Sequence, residues 1–267
     1  MNRYKVKPGE KVKLKKIDAK DAEEWSGRKE EAKEETLKLN SQLEELQEIF
    51  YAQGKHKLLV VLQGMDTSGK DGTIRKVFDS VNPQGVRVAN FKSPTPQELD
   101  HDFLWRVHRE VPGKGQITIF NRSHYEDVLI VRVHNMVPKS VWKKRYDLIN
   151  DFERLLYHEG TTILKFYLHI DKKEQKERLQ ARLDNPDKHW KFNPADVEER
   201  EYWDDYIDAY EEAIEQTSTD YAPWYIIPAN RKWYRNLVIS RILLKKLEEL
   251  EVDYPEPVSE FNDITIE

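Results

Sequence analysis

Leu58-Leu59-Val60-Val61-Leu62-Gln63-Gly64-Met65-Asp66-Thr67-Ser68-Gly69-Lys70-Asp71-Gly72-Thr73 is the stretch from which the rest of the chain can be organised. Five consecutive apolar residues, Leu58 to Leu62, predict a strand buried on both faces. The strand runs into Gly64-x-x-x-x-Gly69-Lys70, the spacing of a loop that cradles phosphate. Asp71 to Ser80 then predicts a helix, with Ile74, Val77, Phe78 and Val81 at helical spacing. Backbone N–H groups in such a loop point at an anion, and the helix dipole adds to the attraction. Gly64, Thr67, Ser68, Gly69, Asp71, Gly72 and Thr73 are therefore expected around a phosphate group, with Lys70 reaching a bridging or terminal oxygen. One position departs from nucleotide-hydrolysing loops. Asp71 stands where Ser or Thr usually helps to hold magnesium, and Asp66 is the obvious substitute.

Outward from this loop, strand-like and helix-like segments alternate. Strands are expected at Val86–Phe91, Gly115–Ser123, Thr161–Ile170 and Trp224–Ala229. Helices are expected at residues 28–53, 97–109, 138–159, 171–183, 196–216 and 230–250. Five strands alternating with helices predict an α/β fold with a parallel five-stranded sheet flanked by helices. In the long helix after residue 138, Val141, Arg145, Leu148, Phe152 and Leu155 fall along one face.

The 267-residue chain is long enough for a full core. It has 44 Lys and Arg against 49 Asp and Glu, so net charge selects no partner. The ends differ: residues 1–20 carry eight bases and two acids, and residues 248–267 carry eight acids and no base. We expect an extended basic arm at 1–27, a catalytic domain at 28–250 and an acidic tail at 251–267, both ends solvated. No cysteine is present, which excludes disulfide and thiolate chemistry. No apolar run reaches membrane-spanning length and no signal-peptide core is visible, so a cytoplasmic protein without membrane partners is expected. No motif for nucleic-acid recognition accompanies the basic arm.

Ligands in open α/β sheets sit outside the carboxyl ends of the strands. The segment Asn121-Arg122-Ser123-His124-Tyr125-Glu126-Asp127 follows one strand and falls there beside the phosphate loop. It offers Asn121 and Glu126 toward a metal, Asp127 as a further acid, and Arg122 and Arg132 as phosphate clamps. Arg106 lies in the loop-helix region facing the same end of the sheet. Residues 184–194 are basic, aromatic and bounded by prolines, and predict a hinged lid over an anionic substrate, extending to about residue 216. There Trp190 and Phe192 are expected to pack while Lys188 and Lys191 reach inward. A glycine cradle, a loop lysine, a loop acid, arginines and a lid form a set suited to phosphoryl transfer. An ATP-dependent nucleoside monophosphate kinase would normally have Ser or Thr after Lys70. A purely regulatory nucleotide binder would not need Asp66.

Three motifs together resemble the polyphosphate kinase 2 family: Gly64–Gly72, Phe120–Asp127 and Asn185–Phe192. The resemblance runs from about residue 30 to 250 and includes the Gly69-Lys70-Asp71 departure. It implies a P-loop kinase fold with a helical lid, transfer of a terminal phosphoryl group between inorganic polyphosphate and a nucleotide, and a Mg2+ requirement. It assigns Asp66 to metal organisation and acceptor activation, Lys70 to the phosphate loop, and Arg122 to the arginine after a second acid. Arg178 and Arg182 match the family's basic helix before the lid less closely. Asn121 stands where many members have Asp, a form similar to the branch that phosphorylates both AMP and ADP, with Glu126 as the alternative charge. Polyphosphate would need a row of cations, for which Arg75, Lys76, Arg106, Arg122, Arg132, Arg178 and Arg182 are candidates. Adenine or guanine nucleotides as partners, and a homodimer or homotetramer with the 28–53 helix at its interface, are further expectations from the family.

Overall fold

The computed structural model describes residues 2–257, with side chains from Arg3 onward. Residues 258–267 of the expected acidic tail lie outside the described residues. Five strands, β1 Lys57–Gln63, β2 Val86–Asn90, β3 Ile117–Asn121, β4 Thr161–His169 and β5 Trp224–Pro228, form a single sheet in the order β2-β3-β1-β4-β5. Each neighbouring pair is parallel. β1 is central, with Val60 opposite Ile119 of β3 on one side and Leu164 of β4 on the other. Leu58 to Leu62 are all fully buried, which is why the run shows no alternation. The chain leaves β1 toward β2 on one side and leaves β4 toward β5 on the other. The crevice between their carboxyl ends is the topological switch point at which such sheets bind ligands.

The flanking helices are α1 Lys29–Gln53, α2 Lys70–Val77, α3 Pro96–Leu99, α4 Trp105–His108, α5 Ile130–Val133, α6 Lys139–His158, α7 Lys172–Leu183, α8 Ala195–Glu198, α9 Trp203–Thr217 and α10 Lys232–Glu248. α1 buries Leu39, Leu43 and Phe50 and packs along α10, which buries Leu237, Ile239, Leu243 and Leu247. Gly54 ends α1 in the left-handed conformation, φ 62°, with its N–H on the Phe50 carbonyl. The side chain of Asn40 ties the pair to the site, donating to the Lys76 carbonyl at 2.7 Å and accepting from Ser240 at 3.0 Å.

Four local expectations are corrected. The N-terminal arm is not a solvated extension, because its apolar residues alternate with the lysines and turn inward. Tyr4, Val6, Val12 and Leu14 are buried, and Val6 N–H donates to the Trp224 carbonyl beside β5. Val12 and Leu14 N–H groups donate to Glu215 and Glu211 of α9, each at 2.7 Å. Burial contributes about 1.5–3 kcal/mol for each large apolar side chain, enough to hold a short strap. In α6 the buried residues are Trp142, Tyr146, Ile149, Phe152, Glu153 and Leu156; of the expected face Phe152 is buried, while Val141, Leu148 and Leu155 face solvent. Both stripes fit helical spacing; the one with the bulkier aromatics, and with Glu153 able to reach a buried lysine, faces the core. The helix expected at 97–109 is two short helices, α3 and α4. That expected at 196–216 is α8, a 3-10 turn at Glu199–Tyr202, and α9.

Candidate active site

The loop from β1 to α2 curls around its own backbone. Gly64, at φ 148°, and Gly69, at φ 104°, take conformations closed to most side chains. A Cβ on Gly64 would lie 2.8 Å from the Leu168 carbonyl oxygen, and one on Gly69 2.1 Å from an Arg235 guanidinium nitrogen. Thr67, φ 64°, and Arg122, φ 62°, are left-handed without being glycine, and both stand at this site. Such strain persists only where surrounding contacts impose it. Lys70 folds back so that Nζ donates to the Gly64 carbonyl at 2.8 Å. Burial, then the Arg122 charge, pushes its ammonium pKa down, while Asp66, Glu126 and Asp71 oppose the shift. The Thr67 and Ser68 hydroxyls are buried without a protein hydrogen-bond partner. A buried polar group without a partner is costly, and these two line a cradle whose chemistry suits an oxyanion. Thr73 Oγ1 instead donates to the Gly69 carbonyl at 3.1 Å, and Gly72 faces Arg235, which a Cβ there would meet only at ordinary contact distance, 3.6 Å.

Facing the loop, Arg122 donates from Nη2 to Asp66 Oδ1 at 2.9 Å. Burial works against its charge, but Glu126 and Asp66 raise its pKa overall. Glu126 is half-buried and acts on Lys70, Arg122 and the Tyr210 phenol. Beneath them Gln63 donates to Ser123 Oγ at 3.1 Å and accepts from Tyr210 at 3.3 Å, fixing where the β3 loop leaves the sheet. Asn121 donates its amide to Asp71 at 2.8 Å and to Asn90 at 2.8 Å, linking α2, β3 and β2. Lys191 of the lid stands 3.9 Å from Asp71, so the lid meets the first turn of α2.

Several expected phosphate ligands are committed to protein acceptors instead. Arg178 of α7 donates to the carbonyls of Thr67 and Ser68, both at 2.9 Å, and to those of Ala229 and Asn230 at 2.6 and 3.1 Å. Its Nε takes Glu174 at 2.7 Å, so all five N–H donors are used. Arg106 is bonded to the Lys92 carbonyl at 2.7 Å and lies over Phe91. Arg132 pairs with Glu212 at 2.7 Å and lies over Trp142. Arg182 holds the lid, 3.3 Å from the Lys191 carbonyl and 3.6 Å from Asp196. Asp127 pairs with Arg145 at 3.2 Å, and burial raises its carboxyl to about 6 against that cation. Arg75 and Lys76 lie on the exposed face of α2, Lys76 paired with Asp79 at 3.1 Å. Lys188 is exposed, and Trp190, expected to pack, is 78% exposed because the lid turns are too short to enclose it.

Other residues belong to the site without having been singled out. Asp196 of α8 feels Asp66: burial first, then that neighbouring charge, raises its pKa. Arg235 of α10 is buried and donates to the Ser68 carbonyl at 3.2 Å; burial and Arg178 lower its pKa to about 9. The signal for the latter was the run Arg231-Lys232-x-x-Arg235 after the last strand, which places bases one helical turn apart at the end of the sheet that binds ligands.

A parallel sheet ordered β2-β3-β1-β4-β5, a glycine cradle with a buried lysine after its central strand, and a lid hinged after β4 define a phosphotransferase of the P-loop kinase class. The polyphosphate kinase 2 family model matches residues 26–255, and the chain belongs to that family. It is 59% identical to the AMP/ADP-polyphosphate phosphotransferase of Meiothermus ruber over 267 residues, covering the whole of both chains. It is 45% identical to the ADP-polyphosphate phosphotransferase of Rhodopseudomonas palustris over 95% of this chain and 91% of that one. The crystal structure of polyphosphate kinase 2 from Arthrobacter aurescens superposes with a TM-score of 0.91 at 45% identity, over 93% of this chain and 89% of that one. Among the described residues no helix is long and apolar enough to cross a membrane.

Proposed function

We propose that the protein moves the terminal phosphoryl group of inorganic polyphosphate to AMP and to ADP, giving ADP and ATP. The bond between the last two phosphates of the polymer breaks, a new P–O bond forms to the nucleotide's terminal phosphate oxygen, and the polymer shortens by one unit. The observation that carries this reading is the empty hydrogen-bonding capacity of the cradle, Thr67 and Ser68 hydroxyls beside Lys70, in a chain matching a complete AMP/ADP-polyphosphate phosphotransferase end to end.

In this reading Lys70 leaves the Gly64 carbonyl for a phosphate oxygen, and Arg122 neutralises charge on the transferring group. Asp66 orients the acceptor. The carboxylates of Asp66 and Glu126 suit Mg2+, a hard cation that takes one or two carboxylates together with substrate oxygens. Among the described residues no group of three or more acidic or imidazole side chains forms a cage. Asn121 could offer only its carbonyl oxygen, since its amide is engaged. When bound, Mg2+ would supply positive charge that offsets the charge of the phosphates. The lid carries Lys188 and Lys191 toward the donor and excludes water that would otherwise accept the phosphoryl group. We place the enzyme in the cytoplasm as a homodimer or homotetramer.

The test is chromatography of nucleotides after mixing protein, Mg2+, polyphosphate and AMP without ATP. ADP followed by ATP is expected, and Lys70→Ala should abolish both products while the fold is retained. Product only with ATP as donor would replace polyphosphate with an ordinary nucleotide donor. Conversion of ADP but not AMP would restrict the acceptor.

A further inference from the structure

The fold leaves open the face of α6 that carries Val141, Leu148 and Leu155. These side chains are 40%, 48% and 50% exposed and recur every seven residues, so they form a straight row about 21 Å long. Arg145 and Phe152 fill the alternate positions of the same row. Arg145 donates to the Asp127 carbonyl at 2.9 Å and lies over Phe103. Phe152 walls a cleft of about 550 Å3 shared with Leu104, Trp105 and Arg109 at α4. The spacing 141-145-148-152-155 is that of a seam between two helices. α6 therefore carries two apolar faces, one buried in the core and one uncovered. Apolar side chains scattered singly over a surface need no partner, but a continuous row at seam spacing marks an interaction surface.

The charges beside the row indicate what covers it. Lys144 and Asp151 flank it on the same side, one before and one after Leu148. Lys144 is exposed and, among the described residues, has no ion-pair partner. Asp151 pairs with Arg154 of the same helix at 2.6 Å, a surface pair that contributes little and leaves the carboxylate accessible. If two α6 helices lie antiparallel about a twofold axis at Leu148, Val141 of one copy meets Leu155 of the other and Leu148 meets itself. Each Lys144 then faces an Asp151 across the axis. A second copy of the chain thus matches the apolar row and the charges at once, as an isologous contact must. We infer that a second copy of this chain docks on the open face of α6, the two α6 helices pairing antiparallel. The inference rests on the homo-oligomer of the proposed function and is independent of the phosphoryl donor. α1, the helix expected at an interface from the sequence, already buries Leu39, Leu43 and Phe50 and packs along α10 within the chain. The α6 interface also backs the catalytic loop, because Arg145 in the seam holds Asp127, the neighbour of Glu126.

Sedimentation velocity of the full-length protein and its variants tests this. Leu148→Glu sets two carboxylates against each other on the axis and removes both leucines from the contact. The dissociation constant should rise on the order of 100-fold, and the mass at micromolar protein should fall by half. Lys144→Asp sets acid against acid on both sides of the axis and should weaken the assembly on the order of tenfold. Lys144→Asp/Asp151→Lys exchanges the charges and should restore it. Leu148, Lys144 and Asp151 are exposed in the folded chain, so far-UV circular dichroism should not change in any variant. A mass unchanged by Leu148→Glu, or a double exchange as weak as Lys144→Asp alone, overturns the inference and assigns the oligomer to another face. A wild type that sediments as a monomer at micromolar concentration overturns the homo-oligomer and the inference with it.

Discussion

Arg178→Lys separates a clamp on the phosphate loop from a ligand of the phosphate itself. In the native protein this guanidinium spans the loop and the end of β5, with two carbonyls on each side and Glu174 on Nε. Lysine keeps the charge but loses the planar fork, and its ammonium can serve one side of the span at best. The Ser68 carbonyl retains Arg235. Depending on the side that lysine serves, either the Thr67 carbonyl alone or both the Ala229 and Asn230 carbonyls are left without that donor, at about 1–3 kcal/mol each, so the expected loss is about 2–4 kcal/mol. For a chain of this size that lowers Tm on the order of 10 °C. The released loop shifts Thr67 and Ser68, and a misplacement of about 1 Å costs about 100-fold in rate. Calorimetry together with steady-state kinetics provides the assay. Tm and kcat should fall together, with the donor KM little changed. An unchanged Tm with a raised donor KM would refute the clamp and return Arg178 to the phosphate ligands.

The buried pair Glu153 and Lys165, at 2.5 Å, gives a second expectation. Lys165 also holds Tyr125 at 2.8 Å and the Thr217 carbonyl at 2.7 Å, so Glu153→Gln leaves a buried cation without its counter-charge and should cost about 3–5 kcal/mol in urea unfolding; unchanged stability would mean the lysine is neutral in the fold. Asp127 gives a third. Burial raises its carboxyl from 3.8 to about 6, so the folded state holds that proton more tightly than the unfolded chain does. Its contribution therefore favours folding at low pH and is lost as pH rises through that window. The unfolding free energy of wild type relative to Asp127→Asn should decline from pH 4 to pH 6, and a rise across that window would contradict the assignment.

The loop, the sheet class and the family were legible because each depends on local chemistry. An unbroken apolar run before Gly64-x-x-x-x-Gly69-Lys70 leaves few alternatives to a central strand feeding a phosphate cradle, and β1 is the central strand. His169, at the end of β4, is buried with Nε2 at the Ile17 carbonyl, 3.0 Å away. The side-chain partners of the arginines were not legible. Sequence spacing put Arg106, Arg132, Arg178 and Arg182 at the correct end of the sheet, but an arginine satisfies carbonyls and carboxylates as readily as phosphates.

What the sequence by itself determined is the order of strands and helices, the phosphate loop and the candidate chemistry of Asp66, Lys70 and Arg122, since these rest on residue type and short-range spacing. Tertiary structure alone decided which of two equivalent stripes of α6 faces inward, and that the lysine-rich arm packs on β5 and α9. It also decided that Arg178 and Arg235, from helices distant in the chain, close on one carbonyl of the loop. The physical reason is the same in each case. A helical or polar segment carries several faces and donors of similar quality, and only the partners brought to it from elsewhere in the chain choose among them.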